Sequence, residues 1–252
     1  MEENPQLFEI FLQIQSGLPR QGPGSQQSTL KALSYCAGLP NEVGVLDIGC
    51  GPGMQTITLA NALNCNIMAV DVVDEYLSIL KQNAQKENLT QRITILNRDM
   101  NDLGFGKESF DLIWAEGSAY IMGFENALDY WKTFLKPASY IAISELVWLK
   151  DNPPADLSNF FKNEYPPMTN LENNLSIIET EGYEITGHFT LPDSDWWDNY
   201  YAPLEAKLPA LTEQFKDDKE ALSILEMTRA EIDMRRRYSD FYGYEFFIAK
   251  KA

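Results

Sequence analysis

Two hydrophobic periods take turns along the chain, and the switches between them divide it into elements. Apolar runs at 43–48, 66–70, 92–96, 110–114 and 140–149 predict strands. The last is long and almost unbroken, as expected of a strand covered on both faces. At 183–191, Tyr183, Ile185 and Phe189 alternate with Glu184, Thr186 and His188, which predicts a half-exposed strand with His188 on its polar face. A final strand is predicted at 241–249. Between the strands the spacing becomes helical. Helices are predicted at 57–63, from an Asp74 cap through Leu77, Leu80 and Ala84, at 124–135 until Lys136 and Pro137 stop it, near 157–161, and at 171–180 with Gly182 as C-cap. The chain opens with an amphipathic helix at 5–16 and a Gly- and Pro-rich loop, and Ser25 then caps a helix through Leu30, Leu33 and Cys36. Two more helices, 202–215 and 219–238, lie in an insert spanning 192–240. Strand–helix alternation predicts an α/β fold with a mostly parallel, doubly wound sheet.

The chemistry gathers where the first strand ends. Residues 45–56 read VLDIGCGPGMQT, an apolar run that breaks into Gly49, Gly51 and Gly53 and restarts as a helix. Such a turn lets backbone N–H groups approach a ligand at a helix N-terminus. A dinucleotide fingerprint needs a third glycine at the sixth position, which Met54 occupies. Asp71 lies 22 positions after Gly49 at the end of the second strand, where a carboxylate can accept hydrogen bonds from both ribose hydroxyls.

An acidic residue followed by G-x-G-x-G, here Asp47, Gly49, Gly51 and Gly53, resembles the first motif of the class I S-adenosylmethionine (SAM)-dependent methyltransferases. The resemblance covers roughly residues 40–250, and the layout is most similar to the small-molecule and quinone C-methyltransferase branch. It implies a Rossmann-like seven-stranded sheet with helices on both faces and an antiparallel last strand. It also implies one domain over 1–252, with a helical cap or lid at 1–40 and the helical insert. SAM is the implied cofactor and S-adenosylhomocysteine (SAH) its product. Asp47, Gly49, Cys50, Gly51, Gly53 and Gln55 would surround the methionine part, Asp71 the ribose, and Asp99 with Met100 the adenine, while Glu116 would face the methyl group. Glu116 and Tyr120 are active-site candidates rather than assigned catalysts. Arg20 and Gln21 are acceptor contacts in the mobile-lid reading and an exposed linker otherwise; Trp196, Trp197, Tyr200 and Tyr201 in the insert either pack it onto the domain or line an aromatic acceptor pocket. The segment after the fourth strand, AEGSAYIMGF, departs from the N-P-P-Y-type motif of adenine and glutamine N-methyltransferases.

Composition narrows the acceptor. A net charge of −17 argues against nucleic acid and anionic membrane surfaces. With 44% hydrophobic residues the chain can bury a sizeable core. Cys36, Cys50 and Cys65 have neither metal-ligand nor disulfide spacing, and a lone histidine cannot build a histidine-rich metal site, so no metal is expected. The N-terminus lacks a signal-peptide pattern, no stretch is long enough to span a bilayer, and a cytoplasmic protein is expected. The expected reaction is in-line methyl transfer to a small molecule. The alternative is a SAM- or SAH-binding regulatory or partner protein without methyl transfer. A nicotinamide-dependent dehydrogenase is disfavoured by Met54.

Overall fold

The computed structural model describes residues 5–252. Residues 1–4 of the expected cap lie outside the described residues. In chain order the elements are α1 (Pro5–Gln15), α2 (Gln26–Leu33), β1 (Val43–Ile48), α3 (Met54–Ala62), β2 (Cys65–Asp71), α4 (Asp74–Lys86), β3 (Ile93–Asn97) and β4 (Phe110–Glu116). A short 3₁₀ turn (Ala119–Ile121) leads to α5 (Phe124–Lys132), β5 (Leu135–Trp148), α6 (Ala155–Glu164), β6 (Thr169–Asn170), α7 (Leu171–Thr180) and β7 (Tyr183–Thr190). The insert follows as α8 (Asp193–Trp196), a π-helical stretch (Trp197–Tyr201), α9 (Ala202–Gln214) and α10 (Lys219–Tyr238), before β8 (Tyr242–Lys251).

The strands form one sheet in the order β3-β2-β1-β4-β5-β8-β7, with the two-residue β6 beside β5 as an unexpected addition. β1 to β5 run parallel, and β8 is antiparallel to both neighbours. The chain winds outward from β1 to β3, then crosses back to β4 on the other side of β1. That reversal opens a crevice at the carboxyl ends of β1 and β4, where ligands bind in open α/β sheets.

Three apolar clusters hold the layers. Leu59, Leu77, Leu80 and Ala32 from α2 to α4 cover one face of the sheet. Leu128, Trp131 and Ile178 from α5 and α7 cover the other. A third cluster joins α1, α6 and the insert through Ile14, Phe161, Trp196, Leu208 and Leu225. The expected caps form at α2, where Ser25 Oγ accepts from the Ser28 N–H at 3.1 Å, and after α7, where Gly182 adopts φ 74°.

Two local expectations are corrected. Lys136 and Pro137 do not end a helix. α5 stops at Lys132, and β5 already pairs at Leu135 with Phe110. Ala138 at φ 59° and a register shift between Phe110 and Leu112 let the strand accommodate a proline that cannot donate to the ladder. Asp74 is not an N-cap either. Val73 occupies that position, and its N–H donates to Asp71 Oδ1 at 2.9 Å. The carboxylate of Asp74 instead accepts from Asn97 Nδ2 at 2.7 Å.

Candidate active site

The glycine turn is shaped by what its neighbours leave room for. Gly49, Gly51 and Gly53 have φ of 69°, 53° and 87°, a region that side chains disfavour. A methyl on Gly49 would lie 2.5 Å from Ser118 Cβ, and one on Gly53 2.2 Å from Leu80 Cδ1. Packing alone therefore demands glycine at those two positions. Gly51 differs, because the nearest atom to a methyl there would be Gln21 Cγ at 3.9 Å. Its backbone faces open space between the turn and the N-terminal segment, which suits a ligand approaching the main chain.

Acidic groups ring this cradle. Asp71 at the end of β2 accepts from the Gly51 N–H at 2.9 Å as well as from Val73, and a carboxylate retains lone pairs for further donors. Burial raises its pKa, against the pull of those backbone N–H groups. Asp47 is fully buried within β1 and is bonded by Thr56 Oγ1 and, at 3.4 Å, by Gln55 Nε2. Burial pushes its carboxyl up to about 7 despite the Thr56 hydroxyl. Cys50 donates its N–H to Val70 O at 3.0 Å and accepts Gln55 Nε2 on its carbonyl at 2.9 Å, so both serve to brace the turn. Asp99 is exposed and held by Asn101, whose backbone N–H lowers its pKa. Met100 is half-buried, with its Cε 3.8 Å from where a Gly49 methyl would stand.

Glu116, at the end of β4, is locked rather than free. Trp114 Nε1 and Thr29 Oγ1 donate to Oε1 at 2.8 and 2.7 Å, and Arg20 Nη2 pairs with Oε2. Arg20 and Glu116 are both buried. Gly24 makes the close approach possible, since a methyl there would meet the Arg20 guanidinium at 2.7 Å. Gln21 Oε1 accepts from Tyr76 OH at 2.8 Å. The segment 20–24 thus crosses the mouth of the glycine turn, and Gly24 joins the insert through Asp195 O and Asn199 Nδ2. Arg20 and Gln21 stand on the side of the glycine loop.

Of the four insert aromatics, Trp196 and Tyr201 are 2% and 1% exposed and pack the third apolar cluster, which departs from the acceptor-lining reading of them. Trp197 lies near the surface, bonding Asp193 Oδ2 at 3.0 Å. Tyr200 faces inward and joins a group the sequence did not single out. Tyr76, Tyr165, Tyr200 and Tyr244 all come near enough to Tyr120 for their ionised hydroxyls to repel, and burial raises each pKa further. Tyr120 itself is 46% exposed, and its ring meets that of Tyr165 edge-on at 5.9 Å. Glu145 on β5 lies beside Tyr165 and Tyr244. A lone acid in the apolar run of β5 was its visible signal; Thr29, Tyr76 and Tyr165 had none, because only the fold brings them in.

The residues present fit SAM: an open glycine backbone, an accepting carboxylate on Asp71 at the end of β2, and a buried carboxyl and a buried guanidinium of the kinds an amino-acid moiety needs. The family described as a methyltransferase domain matches residues 45–138. Over those residues the chain is similar to the class I methyltransferases. The sterol 24-C-methyltransferase of Kluyveromyces lactis is 25% identical over 180 residues, covering 68% of this chain and 48% of that protein. The erythromycin 3''-O-methyltransferase of Saccharopolyspora erythraea is 29% identical over 140 residues, covering 52% and 45%. The chain thus spans about half the length of these relatives. Among solved structures, a SAM-dependent methyltransferase from Geobacter sulfurreducens in complex with SAH superposes with a TM-score of 0.80 at 21% identity, covering 99% of each chain. The [4+2]-cyclase SpnF superposes with a TM-score of 0.76 at 18% identity, over 97% of this chain and 92% of that one. Among the described residues no cluster of acidic, histidine and cysteine side chains could hold a metal, and no helix is long and apolar enough to cross a membrane.

Proposed function

We propose that this chain is a SAM-dependent methyltransferase that moves a methyl group to a small-molecule acceptor. The observation that carries the reading is the open backbone at Gly51 with Asp71 bonded to it, beneath a segment anchored by Arg20. Bound SAM would supply an electrophilic methyl on a sulfonium, for in-line displacement by the acceptor. The chain's own part is to hold and dry the site. Asp71 would take the ribose hydroxyls, Asp99 and the Met100 backbone the adenine. Asp47, through Thr56 and Gln55, would face the cofactor's amino end, and the spare Nε and Nη1 of Arg20 its carboxylate. Glu116 fixes the position of Arg20, and Tyr120 borders the acceptor.

The reading also takes 1–252 as one cytoplasmic catalytic domain, with 1–40 as its cap and 192–240 as the insert that shapes acceptor choice. Its acidity disfavours nucleic acid as a substrate. It uses no metal. A second reading, SAM or SAH binding without methyl transfer, draws support from SpnF, a cyclase with the same fold. Incubation with methyl-labelled SAM and a pooled set of small alcohols, phenols, amines and carbon acids separates them. Label appearing in an extractable product supports the transferase. Tight SAM binding with no transfer to any pool favours the second reading.

A further inference from the structure

Glu145 is a buried carboxyl near the carboxyl ends of the strands to which the described residues give neither a cation nor a full set of donors. It sits on β5 one residue beyond Ser144, which pairs with Glu116 at the carboxyl ends of the strands. It is 1% exposed. Its Oε1 accepts the Leu146 N–H at 2.9 Å, while Oε2 has no hydrogen-bond partner among the described residues. The Tyr165 hydroxyl is near enough to act on the Glu145 carboxyl as a donor, which pulls its pKa down against burial. Its cross-strand neighbour Glu245 brings no relief, being occupied by Thr190 Oγ1 and His188 Nδ1, each at 2.6 Å. Burial pushes the Glu145 carboxyl up to about 7. A carboxyl buried this way either keeps its proton or, when ionised, is stabilised by a positive partner or a strong donor.

Aromatic rings supply the rest of the setting. The Tyr165 ring meets that of the half-exposed Tyr120 at 5.9 Å, and Tyr165 and Tyr244 are both near enough to Glu145 to feel its charge. A carboxylate among tyrosine rings is a seat for an ammonium group, which gains charge pairing and cation–π attraction together. The overall charge of −17 favours arrival of a cation.

We infer that Glu145, with Tyr120, Tyr165 and Tyr244, forms the acceptor subsite for an amine nitrogen, so that the substrate is a small amine: the bound ammonium would give a proton to the Glu145 carboxylate, and the freed lone pair would take the methyl as the methyl–sulfur bond breaks and SAH leaves. This rests on the methyltransferase reading. Methylammonium is the minimal probe. SAH-loaded wild type and Glu145→Gln are melted in methylammonium chloride and in sodium chloride of equal ionic strength. Methylammonium should raise the wild-type midpoint above the sodium value by about 3 °C at roughly ten times its Kd, and leave Glu145→Gln unmoved. Equal responses of the two proteins overturn the inference. In wild type alone, NOEs should connect the methylammonium methyl to tyrosine ring protons, and their absence overturns it even where the variant fails to fold. Calorimetry with SAH runs alongside. Failure of SAH to bind refutes the cofactor reading, whereas SAH binding without a methylammonium effect refutes only the amine seat.

Discussion

The two halves of the crevice are built differently. Around the glycine turn, the acids are satisfied by residues close in sequence: Asp47 by Gln55 and Thr56, Asp71 by Gly51 and Val73. Around the cap, the end of β5 and the insert, the contacts join distant segments. Arg20 reaches Glu116, Asn199 reaches Gly24, and Lys207 Nζ holds Ile14 O at 2.8 Å. Among the described residues, the buried side-chain polar atoms without partners all fall in this second half: on Gln15, Arg20, Glu145, Asp195, Trp196 and Tyr242. Unpaired buried polar atoms are costly, and they persist where a ligand or water completes them. One half is thus satisfied from within, and the other keeps its valences open.

Breaking each half in turn should separate them. Arg20→Ala leaves Glu116 buried without its cation and should cost about 3–5 kcal/mol in denaturant unfolding. Adding Glu116→Gln should recover part of that loss, and full additivity would contradict the pair. Gly53→Ala adds left-handed strain and a clash with Leu80, worth about 2–4 kcal/mol, and should abolish SAH binding in calorimetry. Asp71→Ala should weaken SAH binding by about 1.5–3 kcal/mol with the melting midpoint of the ligand-free protein nearly unchanged.

The pH response tests the glycine-turn half without a ligand. Asp47 has a folded pKa of about 7 against 3.8 for the free side chain. The folded state therefore holds the extra proton between those values. Stability from this group is complete below pH 3.8 and falls as pH rises to about 7. Glu145 acts in the same direction from 4.5 to about 7. Asp47→Asn should flatten that slope in urea titrations over this window, and an unchanged slope would reject the buried-acid assignment. The smallest effect belongs to the exposed Arg236–Glu205 pair, where Arg236→Ala should shift stability by less than about 1 kcal/mol.

Legibility in the sequence follows the same divide. The strands, the glycine turn, Asp71 and the insert helices could be read because each is a local pattern of period, glycine spacing or strand end. Lys136 and Pro137 misled because a proline that stops a helix can equally sit beside a strand bulge, and only pairing with Phe110 decides. Trp196 and Tyr201 looked like pocket walls, since a cluster of aromatics reads alike whether it lines a cavity or fills a core. The tyrosines around Tyr120 come from α4, the loop after α6, the insert and β8. No linear spacing could have joined them.

The most direct test of the account is calorimetric titration of ligand-free protein with SAH, repeated at pH 6.5 in buffers of different ionisation enthalpy. One site per chain is predicted, with proton release as a cationic amino group settles near Asp47. Nicotinamide dinucleotide should give no heat. Folded, ligand-free protein that ignores SAH, or that binds the dinucleotide instead, would contradict the reading of the glycine turn on which the rest depends.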